Sequence, residues 1–458
     1  MEVSLTEMLE AREKRAWRQR ELLKRGRTVI CFTMNIAGPI KNSPLIGSGY
    51  DLGKRLLLGQ LDVAGVAVSD FEEVREKTGN ECILLVDAEP LAVKAITAEL
   101  EDHAPIGRLF DMDVLRPDGS KVERQELGLP GRRCLLCGES AQVCARSRKH
   151  SVEELQAKTR DILREAVDEA DSREAARYAC QALLYEVAIT PKPGLVDREN
   201  SGSHRDMDFF TFQASAAALQ SYFAQCVRIG RQGGTPTETL RALRLPGKLA
   251  EAEMRRATMG VNTHKGAIFS MGILCGALGR LDRKNWADPD RVLEECAAMA
   301  KGIVSEDYRD LTPETAKTAG QKLYILHGIT GVRGQAEAGF PAVREVGLPA
   351  LYTALGMGMD INEAGCAALL ELIVHTADTN MIHRGGFDGM QQATLEVREI
   401  LDRVVLAAES DMLTAVEALE RRISRKRSRV ELKTIRTRYP MGAEKQIVQS
   451  VTRREVPP

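Results

Sequence analysis

The sequence predicts a two-domain protein, α+β in its first third and all-α beyond it. Three observations carry this. Strand-like and helical patterns alternate up to about residue 150. From Val152 onward apolar residues recur at helical spacing with no convincing strand between them. Aromatic residues make up only 4% of the chain against 38 glycines, a composition suited to closely approaching helices.

Ser4 to Lys24 reads as a charged helix, with Ser4 as cap and Glu7 three residues on. Thr28–Met34 is strand-like by its β-branched and aromatic content, and Ile83–Val86 is a second short apolar run. Pro90 opens a helix that runs to about Leu100, with proline in the first turn. Leu109–Leu115 alternates and reads as another strand. Helices are then expected at Val152–Ala166, Arg173–Ala188, Phe209–Ile229, Gly266–Leu281, Arg291–Ile303, Asn362–His375 and Ala393–Leu406. The charged segment Val167–Arg173 is the expected join, although it could continue a helix. The expected organisation is therefore 1–167, 168–420 and a basic tail at 421–458. Residues 421–438 hold nine Lys/Arg and one Glu, which reads as a solvated tail more readily than as a docking surface for an acidic partner.

The 458 residues are 43% apolar, which supports real cores and excludes disorder throughout. With 64 Lys+Arg against 65 Asp+Glu, the balance of −1 argues against a nucleic-acid binder. The charged N-terminal stretch lacks a signal-peptide core, and the longest apolar run, Gly266–Gly279, is too short to cross a membrane. The ten cysteines then read as reduced thiols or metal ligands, and a cytoplasmic location without a membrane partner is expected.

In GRLFDMDVLR, the period of a strand turns Phe110, Met112 and Val114 to one face and Asp111 and Asp113 to the other. Two carboxylates so placed repel unless a cation lies between them, and Mg²⁺, which also holds phosphates, is the usual solution. Arg108 and Lys41, the latter in the Gly-Pro turn NIAGPIKNS, are candidate phosphate ligands. Cys134, Cys137, Cys144 and His150 form C-x2-C-x6-C-x5-H, a permissible Zn²⁺ set with knuckle spacing in its first pair.

The second portion carries four polar clusters. The loop within EVAITPKPGLVDRENSGSHRDMD offers Lys192, Asp197, His204, Asp206 and Asp208, and one of the last two is expected to cap the following helix. GVNTHKG brings His264 and Lys265 to a helix start, where phosphate can bind. GITGVRGQAEAGFP contributes Arg333 and Glu337. Glu371, His375 and Asp378 share one helix face, and Asn380, His383 and Arg384 follow. Together they predict a polar pocket in a helical core.

Residues 1 to about 165 resemble the apo-citrate lyase phosphoribosyl-dephospho-CoA transferases, through NIAGPIKNSPLI, GRLFDMDV and CLLCGESAQVCARSRKH. Residues from about 170 to 410 resemble the triphosphoribosyl-dephospho-CoA synthases, through TPKPGLVDRENSGSHRDMD, ATMGVNTHKGAIFSMGIL, GVRGQAEAGFP and DTNMIHRGG. The resemblance implies two consecutive reactions. ATP and 3′-dephospho-CoA combine with loss of adenine, and the product is then transferred to a serine of the citrate lyase acyl carrier with loss of pyrophosphate. A nucleotidyltransferase-like arrangement is one candidate for the first portion, with Asp111, Asp113 and Mg²⁺ acting on the α-phosphate. Asp197, Asp206, Asp208, Glu337 and Asp378 are candidate bases or cation-stabilising acids, unranked by the sequence. Lys192, His204, His264, Lys265, Arg333, His375, Asn380, His383 and Arg384 are candidate substrate ligands. Two alternatives are a malonate decarboxylase carrier as target, and a zinc-stabilised nucleotide- or CoA-sensing module without turnover.

Overall fold

A computed structural model describes residues 2–376 and 379–406, without the side chains of residues 319, 379–381, 383–385, 400 and 402–406. The expected site residue Asp378 and the basic tail at 421–458 lie outside the described residues, as do the side chains of Asn380, His383 and Arg384. The chain divides into two compact units between Asp171 and Ser172.

In the first unit, α1 (Leu5–Leu23) precedes β1 (Thr28–Met34), then come α2 (Pro44–Val63), β2 (Val68–Glu76), β3 (Gly79–Val86), α3 (Pro90–His103) and β4 (Phe110–Leu115). The capping box at Ser4 and Glu7 forms as its spacing requires. The sheet is antiparallel throughout, in the order β2-β3-β1-β4. One face buries Ile30, Phe32, Leu84, Phe110 and Met112 in a core that includes residues of α2 and α3. On the other face, Leu22 of α1 packs on Val29, Cys31, Ile83 and Leu85.

β4 is an edge strand, and its outward backbone groups are satisfied by side chains and, at the Val114 carbonyl, by the Val122 N–H. Lys94 Nζ donates to the carbonyl of Met112 at 3.0 Å, and Met112 N–H donates to Glu101 at 2.9 Å. Arg132 donates to the carbonyl of Phe110 at 2.6 Å, and Arg124 pairs with Glu101 at 3.0 Å. Lys94 and Glu101 are each 3% exposed, so these groups meet buried partners rather than water.

The first unit continues through α4 (Ala141–Ser147) into α5 (Val152–Ala188), which runs unbroken through the expected join at Val167–Arg173. Among the described residues the second unit contains helices and no strand. These are α6 (Phe209–Ala218), α7 (Gln220–Arg231), α8 (Pro236–Ala257), α9 (Lys265–Arg280), α10 (Pro289–Ala300), α11 (Ile303–Tyr308), α12 (Ala319–His327), α13 (Gly331–Glu337), α14 (Leu348–Gly356), α15 (Ile361–His375) and α16 (Thr379–Leu406). No described helix is long and apolar enough to cross a membrane.

Glycines set the approach of α7 to α9. A Cβ on Gly279 would lie 2.1 Å from the carbonyl oxygen of Val227, and one on Gly230 would lie 2.2 Å from that of Gly276. The two backbones therefore touch, around Phe223, Cys226 and Cys275 in the core. Gly279→Ala is expected to cost about 2–3 kcal/mol by overpacking. It should appear as a lower urea midpoint of helical circular dichroism; an unchanged midpoint would refute so close an approach.

Candidate functional sites in the two units

The period of β4 puts Asp111 and Asp113 on the α1 face of the sheet, with Phe110, Met112 and Val114 buried on the other. Register places Asp111 opposite Thr33, which in turn faces Glu81, while Asp113 lies opposite Cys31. Glu81, 5% exposed, is ion-paired with Arg15 and Arg18 of α1. Asp113 pairs with Lys121 at 2.6 Å, across a hairpin in which Leu115 bridges Lys121 and Gly119 takes φ +84°. An ammonium thus already answers one of the two carboxylates. The sequence signal for Lys121 was the turn RPDGSK, which folds it back onto β4. Lys41 donates to the carbonyl of Ile36 at 2.5 Å, and burial, then Arg12, pushes its ammonium below its ordinary value.

Arg108 belongs to a different place. A cavity of about 590 Å³ is lined by Asn35, Arg108, Arg132, Arg133, Arg148 and His150, among others, with no acidic residue in its wall. The turn after β1, the entry to β4 and the cysteine-rich segment therefore meet at one cationic cavity, which Asp111 and Asp113 do not line. Ligand atoms of Cys134, Cys137, Cys144 and His150 all lie within 4.8 Å of one another beside it. Burial pushes the Cys134 thiol up, but the backbone N–H groups of Cys137 and Leu136 and the neighbouring thiols outweigh it and bring it to about 6.

In the second unit the loop between α5 and α6 is organised by Asp197, 1% exposed. One carboxylate oxygen accepts from Thr190 Oγ1 at 2.8 Å and Lys192 N–H at 3.0 Å; the other accepts from Glu199 and Asn200 N–H, both at 2.9 Å. Both oxygens are thus committed to hydrogen bonds within the loop. Asn362 of α15, not singled out from sequence as a site residue, brackets Thr190 with two hydrogen bonds of 2.9 and 2.8 Å. Gly202 (φ +52°) is required, since a Cβ would meet the Leu195 carbonyl oxygen at 2.2 Å. Lys192, 2% exposed, reaches Glu186 at 2.5 Å.

His264 stands at the start of α9, 5% exposed. Its Nδ1 lies 2.7 Å from Ser215 Oγ, while its Nε2 is buried with no hydrogen-bond partner. Burial, then the Lys192 ammonium, pushes the imidazole down to about 4, so at neutral pH it meets a ligand uncharged. The unfolded chain therefore takes up this proton first as pH falls. The contribution to stability is full above about pH 6.5 and is lost towards pH 4, by about 3 kcal/mol at most. His264→Gln is expected to flatten that part of the pH dependence of urea unfolding; an unchanged slope would refute the burial argument.

A cavity of this unit, about 210 Å³, is lined by Tyr222, Arg244, Lys248, Glu251, Asp307 and Arg333 among others. Asp307 accepts from Arg333 at 2.6 Å and Arg244 at 2.9 Å, and Lys265 pairs with Glu251 at 3.1 Å. Arg244, Lys248 and Asp307 were not found from sequence: Pro246 within α8 masked the helix that carries the first two, and Asp307 sits on the six-residue α11, too short to show a period. The remaining candidates are dispersed. Glu337 accepts from Gly302 and Val304 N–H at 2.7 and 3.2 Å, at the start of α11. Asp208 caps α6, while Asp206 lies 3.8 Å from His204. His375 turns back to the Glu371 carbonyl at 2.9 Å.

The α+β unit and the helical unit each carry a cavity with basic side chains in its wall, of the kind that suits phosphorylated ligands. Residues 3–166 match the family model for apo-citrate lyase phosphoribosyl-dephospho-CoA transferase, and residues 172–428 match that for ATP:dephospho-CoA triphosphoribosyl transferase. Protein CitXG of Haemophilus influenzae is 34% identical over 90% of this chain and 89% of its own length. Protein CitXG of Leuconostoc mesenteroides subsp. cremoris is 32% identical over 84% of each. A "Probable 2-(5''-triphosphoribosyl)-3'-dephosphocoenzyme-A synthase" of Albidiferax ferrireducens is 43% identical over 49% of this chain and 75% of its own. The chain belongs to the CitXG family, in which these two transferases are fused. It is a bifunctional enzyme of citrate lyase prosthetic-group synthesis, with synthase and transferase domains in one polypeptide.

Proposed function

We propose that the helical unit forms triphosphoribosyl-dephospho-CoA in the site bounded by the 189–208 loop, His264 and the Arg333 cavity. The first unit then passes the phosphoribosyl-dephospho-CoA group to a serine of the citrate lyase acyl carrier. The observation that carries this reading is that each unit has its own cavity bearing basic side chains, so each phosphorylated reactant can be bound without shared residues.

In the helical unit the 2′-hydroxyl of dephospho-CoA attacks C1′ of the ATP ribose, and the bond to adenine breaks. Arg244, Lys248 and Arg333 hold the triphosphate through charge-assisted hydrogen bonds. Lys192 and the uncharged His264 serve at the reacting sugar, with Asp197 fixing the loop that presents Lys192. Of the three aspartates in this loop, Asp206, exposed and near His204, is the one whose carboxylate is neither buried nor used as a cap, which makes it the first candidate for the base.

In the first unit the carrier serine attacks the α-phosphate, and pyrophosphate leaves. Asp111 and Asp113 suit Mg²⁺. They share one face of β4 and would hold the ion through their two carboxylates, leaving it able to take phosphate oxygens as well. When bound, the ion supplies charge stabilisation at the phosphates. Lys121 offers a second positive group beside Asp113, and the arginines of the larger cavity bind the nucleotide's anionic portion.

Chromatography tests the first step: free adenine should appear only when ATP and dephospho-CoA are both supplied with Mg²⁺. Intact mass tests the second: the apo-carrier of citrate lyase should gain the prosthetic group, and that of malonate decarboxylase should not. Adenine left on its ribose would overturn the proposal for the helical unit.

A further inference from the structure

Between Glu123 and His150 the only buried residue is Cys144, so this stretch has no apolar core of its own. It is nevertheless tightly folded. Arg133 and Ser140 form an antiparallel bridge, Ala141 N–H donates to the Arg132 carbonyl at 2.9 Å, and Cys134 N–H donates to Glu139 at 2.5 Å. Gly138, at φ +73°, turns this hairpin and donates to the Cys134 carbonyl at 3.3 Å. α4 then delivers Cys144, and Arg148, an L residue held at φ 49°, reverses the chain to bring back His150. Such backbone persists where its surroundings over-determine it. Four soft or borderline donors converge within 4.8 Å of one another, with Cys137 and Cys144 sulfurs 3.5 Å apart. Nε2 of His150 is buried and has no hydrogen-bond partner. A tetrahedral ion with bonds of about 2.0–2.3 Å to sulfur and nitrogen needs donor separations of this size. Small segments without a core commonly obtain their folding energy from such an ion.

We propose that Cys134, Cys137, Cys144 and His150 ligate one structural Zn²⁺, and that this ion fixes Arg132, Arg133 and Arg148 as the phosphate-binding wall of the first unit's cavity. Arg132 and Arg133 directly precede the first ligand, and Arg148 lies between the last two. All three line the cavity, so the ion's ligand frame and the cationic wall are one stretch of chain. The nature of the cavity's ligand, a nucleotide carrying phosphates, rests on the transferase reading above; the ion does not.

The full chain, purified with reductant and without chelator, should contain about one zinc by mass spectrometric metal analysis. Its Co²⁺ form should show the intense visible absorption of a tetrahedral thiolate site. A chain that retains no zinc after incubation with Zn²⁺ and dialysis, or whose Cys137 and Cys144 are joined as a disulfide under these conditions, overturns the metal site. Cys137→Ser should lose the zinc and transfer the prosthetic group from supplied triphosphoribosyl-dephospho-CoA at least about tenfold more slowly. Adenine release by the helical unit should stay at the wild-type rate. Arg133→Ala should keep the zinc and raise KM for the triphosphoribosyl nucleotide. Zinc-free protein that transfers at the normal rate, or Arg133→Ala with normal KM, overturns the link between ion and cavity. Zinc-replete wild-type protein that transfers nothing to the apo-carrier supports the metal site and refutes the transferase reading instead.

Discussion

Asp111→Asn combined with Asp113→Asn is expected to abolish transfer to the carrier, by about a thousandfold or more, while adenine release continues at the wild-type rate. The substitution keeps the size of both side chains. It removes only the negative charge that two residues of one strand face present together. The strand itself should persist, because its core side, Phe110, Met112 and Val114, is untouched. Intact-mass analysis of the carrier, with supplied triphosphoribosyl-dephospho-CoA, reads the first effect, and chromatography of adenine reads the second. Loss of both activities, or of neither, would refute the assignment of the acids to transfer alone.

The converse experiment is Asp197→Ala, expected to stop adenine release and spare transfer from supplied intermediate. Its cost is also structural. The substitution strands the N–H groups of Lys192, Glu199 and Asn200 and the hydroxyl of Thr190, which now converge on two oxygens. Some of these reach water once the loop loosens, so a loss of about 3 kcal/mol is expected rather than the sum of four bonds. A lower urea midpoint should accompany the lost activity. Adenine release at the normal rate from this variant would show that the loop takes no part in the chemistry.

The geometry of β4 was legible because strand period is a strict signal: the alternation around Asp111 and Asp113 is realised residue for residue. The cysteine spacing was equally readable, since ligand convergence follows from a short hairpin and one helix. β2 was not, because an exposed edge strand of sequence VSDFEEVRE carries almost no apolar pattern. α2 was hidden by its glycines, Gly49 and Gly53 among them. Their burden is close packing on Leu163 and on Phe32 and Phe110, a tertiary fact with no local trace. The expected helix Phe209–Ile229 is two, α6 and α7, meeting at Leu219, a break that apolar periodicity does not mark. In the helical unit the clusters were visible, but their roles were not. Nothing local distinguishes Asp197, folded inward on its own loop, from Asp206 facing outward, or reveals that Glu337 serves the start of α11.

The border of the sheet at β4 has a consequence for the molecule in crowded solution. An unpaired strand margin is where copies of one chain zip together into fibres, and this one carries Asp111 and Asp113. Buried Lys94 and Glu101, with Arg132 beside them, close it with ionic groups that a second copy would have to displace, which disfavours polymerisation through that margin without an additional strand.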